Sequence, residues 1–422
     1  MGSIPFAHMI SVQEALDAIQ CEVTPRKSEL LAADRALDFV LNEDIVSDQD
    51  VPQRDQSIVD GYAVRSSDFA IRGLQPEGSV VELEIVEEVT AGQVPTCEVQ
   101  AGRTVRVMTG VAIPPGADAV VMTEQVDVLD EPGIPLGVAR FNTKSVKEGQ
   151  NVMLRGTSLV RGQRVLVAGT RLRPADIGVI AQMGREEVRV ISKTTLAVLP
   201  TGDELIDPSF LPGPGKIRNS NGPMLIACGR KLGLDVTDLG IGRDEPEVLQ
   251  QMIERGLQAD VLILSGGVSA GTRDFVPQVL EDLGVRTIFH KVRVKPGKPL
   301  WFGKAGNARQ TLVFGLPGNP VSSFVCFHLF VNSALKKMGG ESLDHASLPT
   351  ATLTDRFDRV GDRAVYHPAQ LFWNSQGPML KCVRWQGSAD LRALSEANAL
   401  AVFPPSTVAY EAEARVAFLP LD

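Results

Sequence analysis

Two kinds of side chain recur at short glycine-bounded turns in this chain, and together they suit a phosphate-bearing ligand. Asp203 and Glu204 in PTGDEL, Asp244 in GRDEP and Asp274 in SGGVSAGTRD are carboxylates, whereas Lys295 and Lys298 in KPGKP are cations. Mg2+ takes one or two such acids together with ligand oxygens and water. Pro296, Gly297 and Pro299 stiffen the turn that carries the lysines, so the two ammonium groups suit a fixed oxyanion. Each feature has a plainer alternative. Asp203 and Glu204 could cap a helix after Gly202, Asp244 could cap a helix starting at Pro246, and the lysines could be a solvated hairpin tip.

The stretch DVLILSGGVSAGTRD, residues 260–274, concentrates this chemistry. Ser265, Gly266, Gly267 and Ser269 follow a continuous apolar run. A glycine pair lets the backbone approach a ligand, with amide N–H groups free to hold an anion, and a following helix adds its positive end. The pattern is neither GxxxxGK[ST] nor GxGxxG, which argues against a P-loop or an ordinary dinucleotide site. Taken alone, the loop could equally be a tight turn with no ligand. His290 and His328 sit in apolar contexts, and there is no metal-binding His or Cys cluster. What remains is metal-assisted transfer by positioning and charge stabilisation.

The elements that must position these groups follow from periodicity. From Thr194 to about Lys337 strands alternate with amphipathic helices, which gives a largely parallel sheet with helices on both faces. Strands at Leu196–Leu199, Val236–Ile241, Val261–Leu264, Arg286–Val294 and Thr311–Phe314 each feed one polar turn. Those five turns, PTGDEL, GRDEP, SGGVSAGTRD, KPGKP and GLPGNP, converge beyond the strand C-terminal ends, where such sheets bind ligands. Five at one edge make a site where one alone would not.

Around this module the reading is coarser. Ser11 and Glu14 form a capping box for a helix that ends before Pro25. Leu30–Leu41 reads as a helix leading into a strand. Asp55, Ser57, Asp60 and Asp68 crowd a polar loop from Val51, with a strand at Tyr62–Val64. Val80–Val128 is β-patterned, a separate antiparallel domain. Pro174 starts a helix that Gly184 closes. Residues 350–422 return to short strands, a small barrel or sandwich.

The 422 residues are 44% hydrophobic and 22% charged, ordinary for a globular protein of several domains. A net charge of −9 argues against nucleic-acid binding, so any anion site is a local positive pocket. The five scattered cysteines, with no CxxC pair, read as reduced thiols. No apolar run reaches membrane-spanning length. A cytoplasmic protein is expected.

Taken together, the motifs resemble those of the MoeA family of molybdenum-insertion enzymes, similar to the E domains of gephyrin and of the plant enzyme. The matching stretches are DQSIVDGYAVR, RVMTGVAIPPGADAVVMTEQ, GQNVMLRG, PTGDEL, SNG, GIGRDEP, DVLILSGGVSAGTRDF, VKPGKPLWFG, GLPGNPVSS and WQGS, in order from Asp55 to Ser388. The resemblance implies a multidomain fold of α/β plus β type. A three-layer α/β molybdopterin-binding domain would comprise 1–26 and 190–338, and a linking domain 27–49 and 145–189. A β-rich lobe would span 50–144 and a C-terminal β-barrel 339–422. It also implies a homodimer whose active site is shared across the interface.

The implied reaction takes adenylylated molybdopterin and molybdate with Mg2+, releases AMP and places molybdenum on the dithiolene. By motif, Asp60, Glu204, Asp244 and Asp274 would be catalytic, the last three on the metal. Thr109, Thr201, Gly202, Asn221, Ser265, Gly266, Gly267, Ser269, Lys295, Lys298, Pro317, Pro320, Ser322, Arg363 and Ser388 would bind cofactor. Molybdopterin adenylyltransferase and apo-molybdoenzymes would be partners, with no role for nucleic acid or membrane. Three positions depart from the family pattern: Ser158 and Asn219 stand where acids are usual, and Pro368 lies near a usual arginine. Adenylyl transfer to molybdopterin and a non-catalytic scaffold are the competing readings. The additional β regions argue against the first, and the lack of a receptor-binding insertion against the second.

Overall fold

A computed structural model of the chain describes residues 9–70, 80–143, 145–267, 275–341, 348–358, 361–406 and 408–421. Ser269 and Asp274 lie outside the described residues. The chain divides into two compact units, one of Met1–Glu43, Ala168–Pro174 and Glu187–Asp422, the other of Asp44–Val167 and Ala175–Glu186.

The first unit is built on a six-stranded sheet. Its strands are β1 (Thr195–Pro200), β2 (Asp235–Asp238), β3 (Val261–Ser265), β4 (Val285–His290), β5 (Trp301–Ala305) and β6 (Leu312–Leu316), in the order β2-β1-β3-β6-β5-β4. β2, β1, β3 and β6 are parallel; β5 runs against both its neighbours. Every residue of β3 and β6 is buried, as continuous apolar runs in a two-sided sheet require.

Alternation along β1 defines the two faces. Leu196 and Val198 pack into one core with Ala15 and Ile19 of α1 (Val12–Glu22) and with Leu225 of α2 (Asn221–Lys231). Ala197 and Leu199 pack into the other, with Leu249 and Ile253 of α3 (Pro246–Gly256) and Val279 and Leu280 of α4 (Val276–Asp282). The first core also takes Val321 and Val325 of α5 (Pro320–Cys326), which continues through a π-helical stretch, Phe327–Val331, to Met338. The Ser11 and Glu14 capping box of α1 is present.

Three local expectations change. The strand expected over Arg286–Val294 stops at His290, because Lys291 adopts φ 75°. Val294 and Lys295 then pair with Ala364 and Val365 of the C-terminal barrel. Trp301–Ala305 is an additional strand, not among those expected, paired antiparallel, so the sheet is mixed. Leu30–Leu41 is not helix and strand but strand Ser28–Ala32, a single 3-10 turn Ala33–Arg35 and strand Val40–Leu41. Both strands pair with Glu187–Ile191, a partner too distant in sequence for local pattern to reveal.

The C-terminal strands close into a five-stranded barrel, since Ala364–Asn374 pairs with both Gly377–Cys382 and Ala399–Phe403. Stacked Phe357 and Phe403 rings, 3.8 Å apart, fill its interior. In the second unit, six strands between Gly61 and Phe141 form an open sheet. That sheet is not wholly antiparallel as expected, because Val81–Val89 runs parallel to Arg103–Val107. Among the described residues no helix is long and apolar enough to cross a membrane.

Candidate functional site

Strand direction gathers the polar turns. β1, β2, β3 and β6 are parallel, and β4 reaches the same direction through the two antiparallel pairings of β5. The turns after them therefore leave one edge of the sheet, and a cleft of about 430 Å³ opens there. PTGDEL contributes Thr201, Glu204 and Leu205 to its lining, SGG contributes Ser265, Gly266 and Gly267, and GLPGNP contributes Pro317 to Pro320. Asn221 and Ser220, at the start of α2, and Pro299 of KPGKP add to the wall.

The floor is a buried polar network. Asn221 Nδ2 donates to Ser265 Oγ and to the Gly318 carbonyl, each at 2.8 Å. Ser265 Oγ lies 3.3 Å from Ser323 Oγ, and Ser323 in turn donates to the Pro317 carbonyl. Three turns are thus tied through side chains. Asn221 Oδ1 and Thr201 Oγ1 are buried without a hydrogen-bond partner among the described residues. A buried polar atom left unpaired costs stability unless something else satisfies it. The N-termini of α2 and α5 both open on the cleft, adding the partial positive charge that holds anions.

Gly266 is forced by this packing. Its φ is +96°, and an added Cβ would meet the Thr201 carbonyl oxygen at 2.5 Å. Only glycine lets the turn after β3 lie this close to the turn after β1.

Of the acids, Glu204 lines the cleft, whereas Asp203 and Asp244 are not among its lining residues. PTGDEL does not run into a helix: it leads into a short parallel pairing of Leu205–Ile206 with Ile217–Arg218, so Asp203 and Glu204 are not helix caps. Asp244 does not cap α3 with its side chain either. Instead Asp244 and Asp203 exchange bonds, each carboxylate accepting the other's backbone N–H at 3.3 and 3.2 Å. Burial, with Asp203 and Glu204 nearby, pushes the Asp244 carboxyl above its ordinary range, against that backbone bond and the Arg243 charge. Arg243 donates to the Asp203 and Leu205 carbonyls and braces the loop.

The remaining expected residues fall elsewhere. Gly202 lies between Thr201 and the acids, bonded through its N–H to the Gly242 carbonyl at 3.0 Å. Lys295 and Lys298 are not among the residues lining the cleft, although their neighbour Pro299 is. Lys295 is half-buried in the short pairing with the barrel and Lys298 is exposed, so the plainer reading as a solvated tip fails for Lys295 alone. Ser322 is buried in the first turn of α5. The Ser388 carbonyl accepts the Val321 N–H, fastening the barrel to α5. Arg363 faces Asp362 at 4.0 Å, and Pro368 is buried in a barrel strand.

In the other unit, Asp60 and Thr109 meet. Asp60 Oδ1 accepts from the Thr109 N–H at 2.7 Å and from its hydroxyl at 2.8 Å. Those two bonds hold the exposed Asp60 carboxyl below its usual range.

Two lining residues lie outside every stretch singled out in the sequence. Ile217 and Arg218 reach the cleft because their strand pairs with the end of PTGDEL. Their position just before SNG was the available signal. Asn219, one of the departures, is buried, and its Oδ1 accepts the Gly222 N–H at 2.9 Å, holding the first turn of α2.

Residues 10–184 match the MoeA N-terminal region (domains I and II), residues 197–337 a probable molybdopterin binding domain, and residues 350–421 the MoeA C-terminal region (domain IV). A molybdopterin molybdenumtransferase of Staphylococcus epidermidis is 32% identical over 404 residues, covering 96% of this chain and 93% of that one. One from Staphylococcus aureus is 32% identical over 405 residues, with the same coverage. The crystal structure of a molybdopterin biosynthesis MoeA protein from Pyrococcus horikoshii superposes with a TM-score of 0.79 at 29% identity, covering 97% of this chain and 99% of that one.

Proposed function

The chain belongs to the MoeA family, and from that premise we propose that it is a molybdopterin molybdenumtransferase of molybdenum cofactor biosynthesis. In this reading it takes adenylylated molybdopterin and molybdate as substrates, releases AMP and delivers molybdenum to the dithiolene. The observation that carries the reading is the cleft where Glu204, Asn221, the Ser265–Gly267 turn and the Pro317–Pro320 turn meet.

The residues have matching roles. The Gly266 N–H is held by the Leu316 carbonyl at 3.1 Å, so the Gly267 amide and the N-termini of α2 and α5 receive phosphate oxygens. Asn221 Oδ1, unpaired in the floor, accepts an N–H from the pterin edge. Arg218, tethered through Nε to the Phe210 carbonyl at 3.0 Å, offers its remaining donors to the substrate's negative charge.

The rim fits Mg2+ as a partial donor set. Among the described residues no group of three or more His, Cys, Asp or Glu is arranged to hold a metal. One or two carboxylates with substrate oxygens and water are the usual Mg2+ arrangement, and Glu204, which lines the cleft, and Asp244, whose carboxyl feels the Glu204 charge, are the candidates. A carboxyl raised by burial and by like charges is one that a cation relieves. Bound there, Mg2+ would neutralise charge on the transferring phosphoryl group. Asp274 is proposed as the third acid by motif.

We further propose a homodimer in which Asp60 and Thr109 of one subunit serve the cleft of the other, working in the cytoplasm. A molybdopterin adenylyltransferase would be upstream and apo-molybdoenzymes downstream. Lys295 and Lys298 are retained as oxyanion-handling candidates, and Arg363 and Ser388 as supporting ones. The test is turnover. Purified protein with Mg2+, molybdate and adenylylated molybdopterin is expected to release AMP and yield cofactor that activates an apo-molybdoenzyme. ATP consumption with free molybdopterin would instead favour adenylyl transfer, and no turnover a scaffold.

A further inference from the structure

A second cleft, of about 380 Å³, opens at the opposite edge of the same sheet. Glu22, Arg26, Lys27, Asp260, Arg309 and Gln310 are among its lining residues. Asp260 immediately precedes β3, and Ser265, which ends β3, lines the first cleft. The two clefts therefore stand at the two ends of one five-residue strand, roughly 17 Å apart.

Charge at this edge is unusual for the chain. Asp260 is 4% exposed and fully engaged: Oδ2 accepts from the Thr195 N–H and hydroxyl at 2.8 and 2.7 Å, and Oδ1 from Arg26 at 2.5 Å and Arg309 at 3.4 Å. Glu22 is engaged by Arg286 at 2.7 Å and Lys304 at 3.4 Å. Five cations, Arg26, Lys27, Arg286, Lys304 and Arg309, thus surround two acids in a protein whose net charge is −9.

A purely architectural role accounts for part of this cluster. Asp260 pins the lower ends of β1 and β3 through Thr195 and its own strand, and one arginine would neutralise it. That role leaves donors over. Arg26 Nε is buried with no partner among the described residues. The Arg309 side chain is 47% exposed, and a single long contact uses one of its five N–H groups. Lys27 is exposed and forms no ion pair among the described residues.

We propose that this cleft is a second oxyanion site, for a tetrahedral dianion such as inorganic phosphate, molybdate or the phosphate end of a mononucleotide. Arg26 and Arg309 supply forked donors and Lys27 a point charge, the combination that planar and tetrahedral oxyanions select. The volume leaves room beyond the oxyanion for the body of a small phosphorylated molecule. The site is separate from the first cleft and does not depend on the reaction assigned there.

Isothermal titration of the full chain at low ionic strength, with phosphate, molybdate and AMP in separate arms, tests this. At least one ligand should show a saturable binding step whose affinity is lowered about tenfold or more in Lys27→Ala/Arg309→Ala and unchanged in Lys381→Ala, an exposed barrel-strand control. The arm with the tightest binding identifies the source of the oxyanion. A titration that the double substitution leaves unchanged in every arm, or no binding in any arm, overturns the proposal. If the double variant loses its folded circular-dichroism signal, Lys27→Ala alone decides by the same readout, because its exposed side chain supports no described contact.

Discussion

Glu204 is exposed on the rim of the cleft, so its carboxylate is available for chemistry while contributing little to the fold. Glu204→Gln keeps the shape and removes the charge. AMP release at saturating substrate is expected to fall about 100-fold or more, with the melting temperature unchanged. Undiminished release would remove Glu204 from the proposed chemistry. A second residue-scale prediction concerns stability. His328 packs on the Phe324 and Phe327 rings, at 4.3 and 5.7 Å between centroids. Burial, aided by the Lys231 charge, lowers its pKa from 6.5 to about 4. The folded state therefore keeps a neutral imidazole while the unfolded chain takes up a proton. Stability that is complete above pH 6.5 is lost as pH falls toward about 4, by up to about 3 kcal/mol. Urea midpoints of wild type and His328→Phe, measured from pH 7 to pH 4, should converge or cross over that window if this holds, and run parallel if it does not.

The turns after β1, β3 and β6 make the site because the elements behind them are rigid. Gly266→Ala tests that link directly, since a methyl at φ +96° would be pressed against the Thr201 carbonyl at 2.5 Å. The substitution is expected to cost about 2 kcal/mol or more and to weaken substrate binding together with it. A variant as stable and active as wild type would mean that the two turns separate freely. At this scale much was legible. The βαβ order, the five turns and the helix starts follow from period, proline and glycine, which act within a few residues. What escaped was long-range pairing. Ser28–Ala32 and Val40–Leu41 became strands because Glu187–Ile191 lies between them. Arg218 entered the cleft because Ile217–Arg218 pairs beside PTGDEL.

For the whole molecule, the shared-site proposal makes a quantitative prediction. Asp60→Ala and Glu204→Gln variants, each inactive alone, would be mixed under conditions that let subunits exchange. Half the dimers become mixed, and each mixed dimer carries one site with both residues intact, so about a quarter of wild-type AMP release should return. Release that stays at the level of the single variants would show that Asp60 and Glu204 serve the same subunit's site, or that no dimer forms. By itself, the sequence determined the α/β order, the turn chemistry and the family, since each is written in short motifs and local periodicity. Only the tertiary structure decided which polar groups share a cleft. Thr201, Asn221, Ser265 and Pro317 are brought together by strand direction and by one side-chain network. Lys295 is drawn off into a pairing with the barrel. Strand direction and pairing depend on chain segments tens to hundreds of residues apart, and no local pattern carries them.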